Sequence, residues 1–487
     1  MDRADIGTYP TVYQLIEGEP AANLYDNQIA LFAQDTWRLG SRVVLDYGLR
    51  YDLDTFRLPP SARVDSPIPN GGAPEDRNNL APRLGFTFTP GSGRLVVRGG
   101  GGVFYDKLSL GFPAVAAITS GTRIGILPVQ GTTLEVPVGD KTVALTEDAV
   151  EKLGGGNYVK DFLIFPDELI LRFSTGTRLD TPYSVESSLG AEVAVGTGGA
   201  AQLELVRARG HHLPLMRDLN PVIGVRSCAG PDPANPDPKF RDSCTPVHAA
   251  SPPGSIAAIT TEGESWYTGA TLGWRWRGKT SWYQASYTWS RAEDLGPDPL
   301  KGGIYLPPDS VNLSGERGPS DADRRHRIVI SGASALPWMG LRASGVVQLS
   351  SPVPFNVTTG RDDNLDGITT DRPPGVGRNT GEDTPLGPVN EVRASENELR
   401  AIRSQPLLAP VTSLHAPAFY QIDLRVSKPF AARDGRTKGE MYLQIFNLLD
   451  RFNGGPVEGR AISPDFGRPI GLAGPPRTME LGLRLGY

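Results

Sequence analysis

The feature that most constrains this chain is period-two alternation in segments of about ten residues, recurring along its length. In "RVVLDYGLRYD", Val43, Leu45, Tyr47, Leu49 and Tyr51 share one face, opposite Val44, Asp46, Gly48, Arg50 and Asp52. "PYSVESSLGAEVAV" sets Tyr183, Val185, Leu189, Ala191, Val193 and Val195 against Ser184, Glu186, Ser188, Gly190 and Glu192. "LRASGVVQLS" and the closing "RTMELGLRLGY" alternate in the same way. A helix would scatter these residues around its axis, so the segments are read as strands. Thirteen are predicted, over 27–38, 42–54, 81–90, 94–105, 182–195, 201–210, 265–277, 280–290, 327–336, 341–350, 419–428, 438–447 and 476–487, with a candidate fourteenth from Tyr9 to Glu17. Glycine (58) and proline (44) fall in clusters between them, as expected of strands punctuated by loops.

The connections sort by parity. Short ones ("LGS" at Leu39, "GSG" at Gly91, "GTGG" at Gly196, "GK" at Gly278, "PWMG" at Pro337, "PFAARDGRT" at Pro429) alternate with long ones near 55–80, 106–181, 211–264, 291–326, 351–418 and 448–475. A soluble sandwich has no reason to do this. A barrel in the outer membrane does, because its periplasmic turns are short and its extracellular loops long. Strands of about 9–11 tilted residues also suit the hydrocarbon thickness. Alternation by itself leaves the choice between a soluble barrel with its apolar face inward and a membrane barrel with it outward. The polar face, rich in Arg, Glu, Gln, Ser and Gly, suits a wet or plugged lumen. Trp37, Tyr51, Trp276, Trp289 and Trp338 lie near strand ends, like an interfacial girdle. The best alternating strands place no arginine mid-way along the apolar face, where one would cost about 2–4 kcal/mol in lipid. The expected fold is all-β, a transmembrane antiparallel β-barrel with lipid as its partner. No run of 18 apolar residues offers a membrane helix. A net charge of −5 with both signs scattered gives no footprint for nucleic acid.

"NQIALFAQDTWRLGSRVVLDYGLRYD" followed by "NNLAPRLGFTFTPGSGRLVVRGGGGVFYD" resembles the barrel of TonB-dependent outer-membrane receptors, in particular the Oar-like group. "RARGHHLPLMRDLN", "YQASYTWSRAED", "ERGPSDADRRHRIVIS", "RDDNLDGITTDRPPGVGRN", "QIDLRVSKPF" and "EMYLQIFNLLDRFN" follow in order, so the resemblance covers about Asp26 to Tyr487. It implies a 22-stranded barrel around a plug, coupled to a TonB complex and importing scarce nutrients. It also implies that Tyr487 is the terminal aromatic read by the barrel-assembly machinery. Against that pattern the chain is expected to be a partial barrel spanning 1–487, with 1–26 a remnant of a preceding strand or loop and no plug. TonB would then act only through a missing upstream plug. A structural or adhesive surface protein and a passive channel made by a self-closed barrel are the alternative functions.

Chemistry-bearing motifs are sparse, and no enzyme is expected. His326 in "SDADRRHRIV" lacks a nucleophile or metal partner, and its neighbours Asp321, Asp323, Arg324 and Arg325 suit a network bracing a loop against the rim. His211 and His212, adjacent in an extended segment, would point to opposite sides. The "RGGGGVFYD" run lacks the lysine and helix of a phosphate loop. "DDNLDG" supplies half a calcium loop: Asp362, Asn364 and Asp366 at positions 1, 3 and 5, the Ile368 carbonyl at 7, and Asp371 as a partial substitute for the missing glutamate. Pro373 at position 12 and the absence of predicted flanking helices exclude an EF-hand sensor, which leaves structural calcium or a metal-free acidic turn. Cys228 and Cys244 frame a proline- and aspartate-rich loop, where a disulfide would add about 3 kcal/mol; two free thiols are the alternative.

Overall fold

The computed structural model describes residues 12–18, 24–57, 76–112, 114, 124–130, 135–138, 141–144, 172–174, 179–229, 243–249, 255–297, 299, 305–336, 340–364, 369–402, 405–431 and 438–486. Thirteen strands form one antiparallel meander, each paired with its neighbours in chain order. They are β1 (Tyr25–Leu39), β2 (Val43–Arg57), β3 (Leu80–Phe88), β4 (Leu95–Tyr105), β5 (Tyr183–Val195), β6 (Gly199–Asp218) and β7 (Ile256–Arg277). β8 (Ser281–Asp294), β9 (His326–Leu336), β10 (Leu341–Ser350), β11 (Phe419–Ala431), β12 (Lys438–Phe446) and β13 (Thr478–Gly486) complete the sheet. Among the described residues nothing pairs with the free edge of β1 or of β13. The candidate fourteenth strand forms at Val12–Gly18 but pairs with Ile124–Gln130, outside this sheet.

The register decides which face each side chain occupies. One row runs through Val43, Phe88, Val97, Ala191 and Leu203, then Leu272, Tyr287, Ile328, Leu349 and Tyr420. The adjacent row runs through Val44, Thr87, Arg98, Gly190 and Glu204, then Thr271, Thr288, Arg327 and Ser350. The first is apolar from β2 to β11 and the second largely polar, so slipping one strand by a residue would exchange the two environments. The apolar row starts at the turn end of β2 and finishes at the loop end of β11. That stagger is what tilted barrel strands require. Leu481 (82% exposed), Leu203, Leu272 and Ile330 stand bare on the apolar face, as a lipid-facing surface demands.

Aromatic residues bound this face at both ends. Trp37 and Trp276 lie toward the short turns, and Tyr51 and Trp289 toward the long loops. Trp338 lies outside the described residues. Trp276 and Trp266 are ten residues apart on β7. At about 3.3 Å per residue and about 40° of tilt they are separated by about 25 Å, the height of an apolar band. Gly99 to Gly102 allow β3, β4 and β5 to curve closely: a Cβ on Gly100 would meet the Leu84 carbonyl at 2.8 Å, and one on Gly99 the Phe86 ring at 2.7 Å.

Three departures from the sequence pattern bear on function. β6 and β7 continue well beyond the expected 201–210 and 265–277, to 20 and 22 residues. Register shifts between Gly210 and Leu213 and between Leu213 and Leu215 break the alternation that would have revealed the extension. The expected loop 351–418 contains a 17-residue helix, α1 (Leu386–Ile402). Finally, Arg207, Arg209 and Arg291 face outward, in the rows on the loop side of Leu205 and Trp289.

Candidate functional site

The external connections 295–325, 351–418 and 447–477 are not slack. Their described parts fold into a cap over the loop ends of β8 to β13, with a core of Phe355, Val357, Val376, Val389, Val392, Leu414, Ala461 and Phe466. Helix α1 contributes Val389 and Val392 to this core. Asn390 and Asn397, two turns apart on one face, each bind a backbone N–H and C=O. Asn390 takes those of Val411 (2.8 and 3.0 Å) and Asn397 those of Leu408 (2.7 and 3.0 Å). The buried Arg393 donates to the carbonyls of Ala409 (2.9 Å), Ala461 (2.5 Å) and Ser463 (3.1 Å), which fastens α1 to the 447–477 connection.

The join to the 295–325 connection is ionic. Arg372 donates to Tyr305 Oη (2.8 Å) and to both Glu316 oxygens, one of them at 2.9 Å. The two charged side chains are only 8% and 3% exposed. Burial, with the Glu316 carboxylate beside it, pushes the Tyr305 hydroxyl well up from its ordinary value. Arg378, 2% exposed, pairs with Asp294 and donates to the Glu316 carbonyl at 2.9 Å. Asn379, in the left-handed region at φ 53°, donates to Asp321 at 2.6 Å. Deeply buried charges are costly unless fully partnered, and here each guanidinium has several acceptors.

Of the hollows on this architecture, two bear on function. One, of about 400 Å³ at the base of the cap, is lined by Arg324, Phe355, Pro417, Phe419, Pro456 and Val457. The other, of about 590 Å³, is a concavity spanning β1 to β6 at Asp46, Arg50, Arg83, Phe104 and Glu186. The inward wall carries paired charges: Arg275 meets Glu192 at 2.7 Å, Arg425 meets Glu440 at 3.0 Å, and Arg83 stacks 4.5 Å from the Phe104 centroid.

The singled-out residues fall as follows. His326 Nδ1 is 2.8 Å from Tyr287 Oη, while Asp323 accepts the Ala292 N–H at 2.8 Å and pairs with Arg325 at 3.1 Å. These contacts brace the rim. His211 and His212 do not diverge: both rings meet Tyr183, at 4.9 and 5.3 Å, because His212 adopts φ 54° at the bulge and breaks the alternation. The Gly99–Gly102 run lies within β4.

Of the calcium residues, Asp366 and Ile368 lie outside the described residues. Asp371 is buried and accepts the backbone N–H groups of Asp363 (2.8 Å) and Asn364 (3.4 Å). Burial raises its carboxyl to about 6, although the Asp363 and Asn364 N–H groups that it accepts pull the other way. Asp362 lies in the described part of the same loop. Cys228 and Cys244 are direct cross-strand partners in a hairpin of Val222–Ala229 with Ser243–His248. Tyr487 lies outside the described residues.

Sequence reading did not find Arg372, Arg378 or Glu316, which sit in Pro- and Gly-rich connections without periodicity, or Arg393, which lies on α1. The spacing of Val389, Val392, Leu399 and Ile402 was the available signal for α1.

A family model described as "Outer membrane beta barrel domain" matches residues 7–480. No curated protein matches the sequence significantly. Among solved structures, the chain is similar to the siderophore receptor PirA from Acinetobacter baumannii at 11% identity and a TM-score of 0.47, covering 94% of this chain and 45% of that one. It is also similar to the outer membrane transporter YddB from Escherichia coli, at 12% identity, TM-score 0.45 and coverage of 94% and 45%. For the FrpB iron transporter from Neisseria meningitidis the values are 10%, 0.44, 96% and 46%. The chain spans less than half the length of these proteins.

Proposed function

This chain belongs to the outer membrane beta barrel domain family, and from that premise we propose that it is barrel wall and external cap of a TonB-dependent, Oar-like receptor that takes up a nutrient. Its location is the outer membrane of a Gram-negative-type cell. The observation that carries the reading is the register, which turns an apolar row outward and a largely polar row inward beneath a folded external cap. A wall of this kind encloses a wet or plugged lumen. The cap and the hollow at its base are the surface a ligand meets first.

Bare backbone groups at a sheet edge cost several kcal/mol each in hydrocarbon. In the receptor reading, further strands pair with β1 and β13 in the membrane and a plug carries the link to TonB; in a passive channel the two edges would pair with each other.

The deciding experiment measures uptake by cells expressing the protein, over a panel of ferric chelates, saccharides and peptides, with and without an uncoupler of the inner membrane. Saturable uptake that collapses with the uncoupler is the expected result. Uptake indifferent to the uncoupler, together with steady single-channel conductance in planar bilayers, would identify a passive channel instead. Surface binding without uptake would identify an adhesin.

Two fittings of the external connections belong to the same reading: calcium held around Asp362, Asn364, Asp366, Ile368 and Asp371, and a disulfide between Cys228 and Cys244. The cross-strand register of the cysteines supports the second. Limited proteolysis checks both. Calcium should slow cleavage near 361–372 and Asp362→Ala with Asp366→Ala should remove the effect, while a reductant should expose the 230–242 segment. Without calcium, cleavage near 361–372 should be slower at pH 5 than at pH 8. Asp371 is protonated more readily folded than unfolded, so its stabilising contribution is full below about pH 4 and lost as pH rises through about 6. Unchanged digestion under these treatments removes the corresponding fitting.

A further inference from the structure

The outward face of β6 to β8 carries a basic patch where an apolar band should meet water. Arg207 and Arg291 flank Thr268 in one row, and Arg209 and Glu293 flank Trp266 in the next. Two strands apart, the flanking residues are separated by about 10 Å at the backbone. Arg317 reaches down from the 295–325 connection and stacks over the Trp266 ring at 4.1 Å, with Arg209 at 5.8 Å from the same ring. Glu264 pairs with Arg209 at 3.2 Å, and Glu293 with Arg317 at 2.8 Å and with Arg291. Four arginines thus face two glutamates. Arg207 is exposed and has no ion pair among the described residues. Arg209, Arg291 and Arg317 remain 49%, 58% and 52% exposed.

Position gives the patch its meaning. Trp266 marks the loop-side limit of the apolar band, and Leu205, Ala270 and Trp289 continue from the patch into that band. A ligand here must be amphipathic, with hydrocarbon against Leu205 and Trp289 and anionic groups among the guanidiniums. Arginine suits phosphate because its planar donors match two oxygens at once, and stacking on Trp266 holds two of the planes in place. We propose that this patch is a binding site for the phosphate groups of an outer-leaflet lipid. The inference rests on the outer-membrane location and is independent of what the barrel transports.

The test uses the full chain purified from outer membranes in detergent, with binding measured against micelles doped with a phosphorylated glycolipid. Arg207→Gln with Arg291→Gln is expected to weaken binding about thirtyfold, roughly fivefold per arginine. Thr268→Glu, which places a carboxylate between the two arginines, should weaken it in the same direction. Arg98→Gln with Arg275→Gln, on the inward wall, should change it less than twofold. Heat-modifiable migration confirms that each variant is folded. Loss of less than threefold in both patch variants would overturn the proposal. So would displacement of the lipid by millimolar inorganic phosphate, which would make the patch a site for the free anion.

Discussion

Leu272→Arg should lower the stability of the folded barrel in lipid by about 2–4 kcal/mol. Leu272 lies four residues from Trp276 and six from Trp266 on the outward face of β7, near the middle of the apolar band. It is 57% exposed because nothing among the described residues covers it, as a lipid-facing position requires. A guanidinium there reaches neither aqueous boundary without distorting the bilayer. Thr271→Arg is the control, since Thr271 points inward and shares a 3.0 Å hydrogen bond with Thr288. That substitution should cost no more than about 1 kcal/mol, the worth of a hydrogen bond. Urea titration in vesicles, followed by heat-modifiable migration, measures both. Equal losses at the two positions would mean that both faces of the sheet meet similar surroundings, which the membrane assignment does not allow.

Arg372→Met should unfasten the cap while sparing the strands. It leaves Glu316, 3% exposed, as a charge without its main partner, and breaking a buried pair in this way costs about 3–5 kcal/mol. That is enough to let the 305–325 and 369–402 segments open locally. They should become accessible to a soluble protease although the barrel's heat-modifiable migration is unchanged. Arg372→Met combined with Glu316→Leu should recover much of the protection, because the stranded charge has gone. If the single variant resists protease as well as the native protein, the ion pair does not hold the cap.

The strands were legible because lipid and lumen alternate across a sheet, and that leaves a period of two in the sequence. "RVVLDYGLRYD" announces β2 with no knowledge of its neighbours. The same alternation failed where the chain leaves the bilayer. Beyond Gly210 the bulges at Leu213 and Leu215 interrupt the period, so the upper parts of β6 and β7 read as loop. The cap was less legible still. Arg372 and Arg378 act through partners more than fifty residues away, in segments whose backbone follows the surrounding loops, and Arg393 reaches from α1 to carbonyls as far away as Ser463. Nothing local distinguishes a buried, fully partnered arginine from one in water. The two histidines show the same limit at the scale of a single residue, since one φ of 54° at His212 undoes the geometry that an extended chain would impose.

The tall hairpin of β6 and β7 has a consequence for the cell surface. Ala257, in the last pair of the ladder, lies nine residues beyond Trp266, so the ladder runs about 30 Å along the chain past the belt, at about 3.3 Å per residue. Sugar chains crowd the first nanometres outside such a membrane and screen whatever lies low. The paired segments Val222–Ala229 and Ser243–His248 continue from the end of this stalk, well clear of the membrane surface. Substitutions in those paired segments can therefore alter what the surface presents, while the wall that seals the membrane stays as it is.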